Sequence, residues 1–186
     1  MYEITDLKPG RAINLNGTPY YIVSSKFGRK SQSKANMQCK LRNLVTGAVI
    51  SENFQGSEKI EPAELGYRRV QYLYGNDSSH TFMDLNDYDQ FALPADVIGD
   101  AAQYFVEGCE VDVLSFNGKP IGVQLKSTVD MKIIETMPGV KGDTATGGTK
   151  PAKLESGIII NVPLFLHEGD KVRVNTETGM YMSRVE

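Results

Sequence analysis

"KVRVNTETGMYMSRV", residues 171–185, decides the fold class. Val172 and Val174 alternate with charged residues before Thr178-Gly179, and Met180 and Met182 alternate after it. Period-two alternation on both sides of a glycine-containing turn is the pattern of a β-hairpin. Strand side chains point to opposite faces in turn, and glycine takes positive φ at little cost. The signature recurs along the chain: Asn16-Gly17 precedes "TPYYIVSS", Thr46-Gly47 precedes "AVISENF", and Asn117-Gly118 precedes "KPIGVQL". Helical signal is confined to "LPADVIGDAAQYFVEG" (93–108), which is short and interrupted by Gly99. The expectation is an all-β protein with one or two helical turns, with Tyr72, Tyr74 and Phe82 alternating as core positions of a barrel.

Regular short strands over 186 residues favour several small barrels over one sandwich. Two polar junctions, "EKIEPAELGYRR" (58–69) and "LKSTVDMK" (125–132), divide the chain. The expected domains are 1–63, 64–127 and 128–186. There is no exact repeat, yet "NGKPIGVQL" and "ETGMYMSRV" read as the closing hairpins of two similar barrels.

Charge is distributed unevenly. Residues 1–43 carry eight basic and two acidic side chains, whereas nine carboxylates and no lysine or arginine lie between Arg69 and Lys119. The net charge of the whole chain is −3. One end is therefore suited to a polyanion while the middle avoids one or faces a cation. Six of the basic residues fall in "KFGRKSQSKANMQCKLRN" (26–43). "YYIVSSKF" and "NMQCKLRNL" can pair as strands, leaving "GRKSQSKA" (28–35) as an exposed loop. Cations on such an arm bind phosphates by displacing condensed counterions, without reading bases. The competing explanation is an edge hairpin guarded by lysines against strand-to-strand aggregation.

Other chemistry finds little support. "GVKGDTATGGTK" (139–150) lacks the Walker spacing. His80 and His167 stand apart, no Gly-x-Ser-x-Gly elbow occurs, and Cys39 and Cys109 form neither zinc spacing nor a disulfide framework. Asp84, Asp87 and Asp89 lack the glycine and terminal glutamate of a calcium loop and read as a solvated acidic face. No catalytic residue, metal or cofactor is expected. "MYEITDLKPG" lacks the basic and apolar regions of a signal peptide, and no apolar run approaches a bilayer span. The expectation is a cytoplasmic monomer that binds no membrane.

Three stretches together resemble bacterial elongation factor P: residues 20–47, "VQYLYGNDSSHTFMDLNDYDQF" (70–91), and residues 135–185. The most specific part is "KPAKLESGIIINVPLFLHEG" (150–169), with Lys150, Ala152, Gly157, Val162-Pro163 and Gly169 in the family's spacing. The resemblance implies three small β-barrels in an L shape, an SH3-like or KOW-like domain followed by two OB-like ones. It implies binding to the 70S ribosome beside peptidyl-tRNA (prolyl-tRNA at a stall), with stimulation of peptide-bond formation at consecutive prolines. On that reading Arg29, Lys30, Ser31, Gln32, Ser33 and Lys34 form the tip toward the peptidyl-transferase centre. Lys26, Lys40 and Arg42 steer the arm on rRNA or tRNA backbone. Gly142, Asp143 and Thr144 match a loop that contacts the mRNA codon in the exit site. The family's loop commonly carries Pro-Gly-Lys-Gly or Pro-Gly-Arg-Gly, with the Lys or Arg often modified; here an ungapped register puts Gln32 at that position, so no modification is expected there. A slip placing Arg29 or Lys30 at the apex is the alternative. The alternative function is a general OB-type RNA-binding protein with no role at the peptidyl-transferase centre.

Overall fold

The computed structural model describes residues 1–28, 35–139 and 148–186, and these are β-structure with little helix. Three five-stranded sheets account for it. The first contains β1 (Ala12–Leu15), β2 (Thr18–Gly28), β3 (Asn36–Asn43), β4 (Val49–Gln55) and β5 (Glu61–Pro62), in the order β4-β3-β2-β1-β5. The second holds β6 (Leu65–Gly75), β7 (Ser79–Asp84), β8 (Gln90–Pro94), β9 (Glu110–Phe116) and β10 (Lys119–Gln124), ordered β10-β9-β6-β7-β8. The third holds β11 (Thr128–Thr136), β12 (Thr149–Leu154), β13 (Ile159–Pro163), β14 (Lys171–Asn175) and β15 (Tyr181–Val185), ordered β13-β12-β11-β14-β15.

The second and third sheets share one topology. In each, the opening strand is central, a three-strand meander runs to one side, and the closing hairpin pairs on the other. The similarity expected of the two closing hairpins is therefore a similarity of whole sheets. Among the described residues helix is limited to one turn, α1 (Ala95–Ile98), and a 3-10 stretch Gly99–Tyr104, both in the segment expected to supply it, and a short 3-10 turn at Ile4–Asp6 outside it. Two compact units divide the chain: Met1–Arg68 with Val113–Gly122, and Arg69–Asp112 with Val123–Glu186.

The turns follow the expected chemistry. Asn16-Gly17 and Asn117-Gly118 both have two successive positive φ values, 53° and 82° in one and 51° and 73° in the other. This is the twist that lets a two-residue loop close a right-handed hairpin. The stretch 150–169 is explained by folding needs. Ala152 and Val162 are buried in the third core, and Gly157 and Gly169 sit at positive φ. Lys150 is buried, and its Nζ donates to the Met137 carbonyl at 2.7 Å.

β-Bulges depart from simple alternation in each sheet. The register skips one residue at Val23 in β2, Leu73 in β6, Ile134 in β11 and Met182 in β15. An extra residue turns the strand over, so everything beyond it changes face. Tyr74, expected in the core, is consequently 65% exposed, while Phe82 is fully buried. Likewise Tyr181 takes the place opposite Val174, and Met182 is left exposed. The acidic run is also corrected in part. Asp84 is buried, and its carboxylate accepts the Asn86 N–H, so it organises the β7–β8 turn instead of lying on a solvated face.

Candidate nucleic-acid interface

The long β2–β3 hairpin forms because two residue sets of the right period face each other. Met37, Cys39 and Leu41 are buried on one side of β3, and Gln38, Lys40 and Arg42 are exposed on the other. The buried set packs with Leu7, Ile13, Ile22 and Phe54, and this core holds the hairpin. Ile22 pairs with Leu41. Continuing that register without interruption would set Lys26 opposite Met37, on the core side. The bulge at Val23 prevents this: Ser24 pairs with Lys40 and Lys26 with Gln38. Residues directly opposite in an antiparallel pair share a face, so Lys26 joins Lys40 and Arg42 on the outer one.

The outer face has ordered rows across β2, β3 and β4. They read Tyr21–Arg42–Val49, then Ser24–Lys40–Ser51, then Lys26–Gln38–Asn53. Successive rows lie about 6.7 Å apart along the strands. A groove of about 410 Å³ runs across the last two, and Lys26 and Lys40 both line it. Its single acid, Glu52, pairs with Cys39 in an intervening row of the opposite face. Several cations elsewhere are matched: Arg11 stands 3.5 Å from Asp6, Lys59 2.7 Å from Glu3, and Arg69 3.3 Å from Asp112. Lys26, Lys40 and Arg42 have no carboxylate within salt-bridge distance among the described residues. Three exposed, uncompensated cations in register, separated by hydroxyls and amides, can bind a row of phosphates and offer no acid–base pair for catalysis.

The structure thus brings Lys26, Lys40 and Arg42 together. Arg29, Lys30, Ser31, Gln32, Ser33 and Lys34, and likewise Gly142, Asp143 and Thr144, lie outside the described residues. Sequence reasoning missed the neutral members Ser24, Gln38, Ser51 and Asn53, and also Tyr21. Plain alternation along β3 could have assigned Gln38; Ser24 needs the bulged register, and Tyr21, Ser51 and Asn53 need the pairing of β3 with its neighbours.

Other reactive groups are placed differently. His80 is half-buried beside Tyr72, and His167 is exposed. Burial pushes both the Cys39 and Cys109 thiols up, away from the reactive thiolate. No three His, Cys, Asp or Glu side chains form a metal-binding group among the described residues. A larger cavity of about 820 Å³ lies within the second unit, between the 3-10 stretch Gly99–Tyr104 and the β14–β15 turn. Asp100 and Glu177 line it with neutral residues and no cation, so it does not suit a phosphate despite its size. No helix of the described residues is long and apolar enough to cross a membrane.

Comparison with known proteins agrees with this arrangement domain by domain. Residues 3–60 match "Elongation factor P (EF-P) KOW-like domain", 65–123 match "Elongation factor P (EF-P) OB domain", and 129–184 match "Elongation factor P, C-terminal". Elongation factor P of Pelotomaculum thermopropionicum is 42% identical over 185 residues, all of both chains. That of Thermotoga maritima is 44% identical over 184 residues, covering 99% of this chain and 100% of its own. Among solved structures, the eukaryotic translation initiation factor 5A from Methanococcus jannaschii superposes with a TM-score of 0.54 at 20% identity. It covers 64% of this chain and 88% of its own, and at that identity the likeness is one of fold. KOW-like and OB-type sheets together with these relatives define a translation elongation factor. The chain belongs to the elongation factor P family.

Proposed function

We propose that the factor acts in the cytoplasm as a monomer, on the 70S ribosome beside peptidyl-tRNA, and speeds peptide-bond formation at consecutive prolines. Its outer basic face, Lys26, Lys40 and Arg42, lies on rRNA or tRNA backbone. The β2–β3 arm then carries residues 29–34 toward the peptidyl-transferase centre. There Gln32 supplies an amide with two donors and an acceptor for a ribose hydroxyl or base edge, flanked by Lys30 and Lys34. The loop at Gly142, Asp143 and Thr144 reaches the exit-site codon. The factor makes and breaks no bond. It holds peptidyl-tRNA in a geometry ready for attack and so lowers an entropic barrier, while ribosomal RNA performs the chemistry.

The observation that carries this reading is the register at Val23, which sets three uncompensated cations on one face at the root of the arm. The test is Pro-Pro-Pro synthesis on purified ribosomes with unmodified recombinant protein. The expected result is acceleration by the parent and loss of most of it in Gln32→Ala, with ribosome binding retained. A parent that binds ribosomes without accelerating the reaction contradicts the positioning role.

A further inference from the structure

The outer face continues past its cations to an aromatic end. Tyr21 opposes Ala12 on one side and Arg42 on the other, so its ring shares the row of the guanidinium. Its hydroxyl is hydrogen-bonded to that of Tyr67, which is 54% exposed. Burial and then the bond to Tyr67 push the Tyr21 phenol up to about 12, so the Tyr21 hydroxyl is neutral over the working range of a ribosome. Nothing in the core requires this arrangement. Ile22, the neighbour of Tyr21, faces inward with 1% exposure, and the first hydrophobic cluster is complete without the Tyr21 ring.

A tyrosine held by its hydroxyl loses little conformational freedom when a flat group packs on it, and every nucleobase has a flat face. Arg42 stands beside it with no carboxylate partner among the described residues. The Lys40 and Lys26 rows follow at steps of about 6.7 Å, comparable with the spacing of phosphates along an extended RNA strand. An aromatic ring at the head of a cation row is how proteins hold unpaired RNA.

We propose that Tyr21 and Arg42 form a nucleoside subsite. One unpaired ribonucleotide packs its base on Tyr21 and sets its phosphate on Arg42, and the strand continues over Lys40 and Lys26. This rests on the RNA-facing role given above to the basic face and adds base contact to it. The subsite favours unpaired over duplex RNA, because a base already stacked in a helix cannot reach the ring.

Two probes separate the base from the backbone: a fluorescein-labelled hexa-adenylate RNA and a ribose-phosphate strand of equal length without bases. The full-length parent is expected to bind hexa-adenylate about ten-fold more tightly than the abasic strand. Tyr21→Leu removes that preference and leaves abasic binding unchanged, and Tyr21→Phe retains it. Arg42→Ala weakens both probes and lowers the salt slope by about one. A parent that binds the two probes alike, or neither, overturns the subsite whether or not Tyr21→Leu folds. Equal weakening of both probes by Tyr21→Leu also overturns it, because the ring then acts only through the fold. A parent that accelerates Pro-Pro-Pro synthesis without distinguishing the probes removes the subsite and leaves the elongation role standing.

Discussion

The first and third sheets put charge into cross-strand rows to opposite effect. In the third, Asp130 opposes Arg173, and the arginine donates to both carboxylate oxygens at 2.7 and 2.8 Å. Arg184, on the next strand, stands 3.0 Å from Asp170. In the first, Lys40 opposes Ser24 and Ser51, and Lys26 opposes Gln38. A cation with a carboxylate in its row has its counter-charge inside the fold. One flanked by hydroxyls and amides keeps its attraction for an external phosphate. The count of basic residues does not distinguish these two conditions; register does.

The comparison breaks most completely if the register beyond the bulge is shifted. Inserting one alanine between Ser25 and Lys26 moves Lys26 one place along β2, opposite Met37 and against the core. Turning an ammonium group inward without a partner is expected to cost roughly 3 kcal/mol, read by denaturant unfolding. The outer face loses a cation at the same time.

Next comes removal of the charges with the fold left intact. Lys26→Ala, Lys40→Ala and Arg42→Ala together are expected to weaken ribosome binding on the order of 100-fold at low salt, with the unfolding midpoint nearly unchanged. Making the first sheet resemble the third is a sharper version. Ser24→Asp with Ser51→Asp gives Lys40 carboxylates in its own row, and ribosome affinity is expected to fall about ten-fold although all three cations remain. Retained affinity in that variant shows that row neighbours do not govern the face.

The smallest effect belongs to the third sheet. The Arg173 hydrogen bonds hold the Asp130 carboxyl below its ordinary range. A depressed carboxyl stabilises the fold fully above its unfolded value and loses that contribution as pH falls through the lowered one. The pair is largely exposed, so Asp130→Asn is expected to lower Tm by about 1–2 °C at neutral pH. The gap from the parent closes on acidification below the ordinary carboxylate range, and ribosome binding is unchanged throughout.

Much of this was readable before any coordinates. Asn-Gly and Thr-Gly turns marked the hairpins because positive φ is a local requirement that few residues meet. The basic arm was readable because β3 alternates cleanly over its length. The bulges were not, because one inserted residue leaves no compositional mark. Val23, Ile134 and Met182 look like ordinary strand apolars, yet each is the extra residue of its pair and is exposed. Simple alternation fails beyond such a residue: it turns Lys26 inward past Val23 and puts Tyr74 in the core past Leu73. Asp84 read as solvated because the hydrogen bond that justifies its burial comes from the backbone of Asn86, which sequence does not display. The shared topology of the second and third sheets is likewise a matter of pairing, and it survives where side-chain identity does not.

The most direct test of the claim that the first sheet's outer face docks on RNA backbone is the salt dependence of ribosome binding. The logarithm of the association constant is measured against the logarithm of salt concentration for the parent and for the Lys26, Lys40 and Arg42 triple-alanine variant. The variant's slope is expected to be shallower by about three, one unit for each phosphate it no longer neutralises. Parallel lines for the two proteins would contradict docking through this face and would move the ribosome contact to another surface.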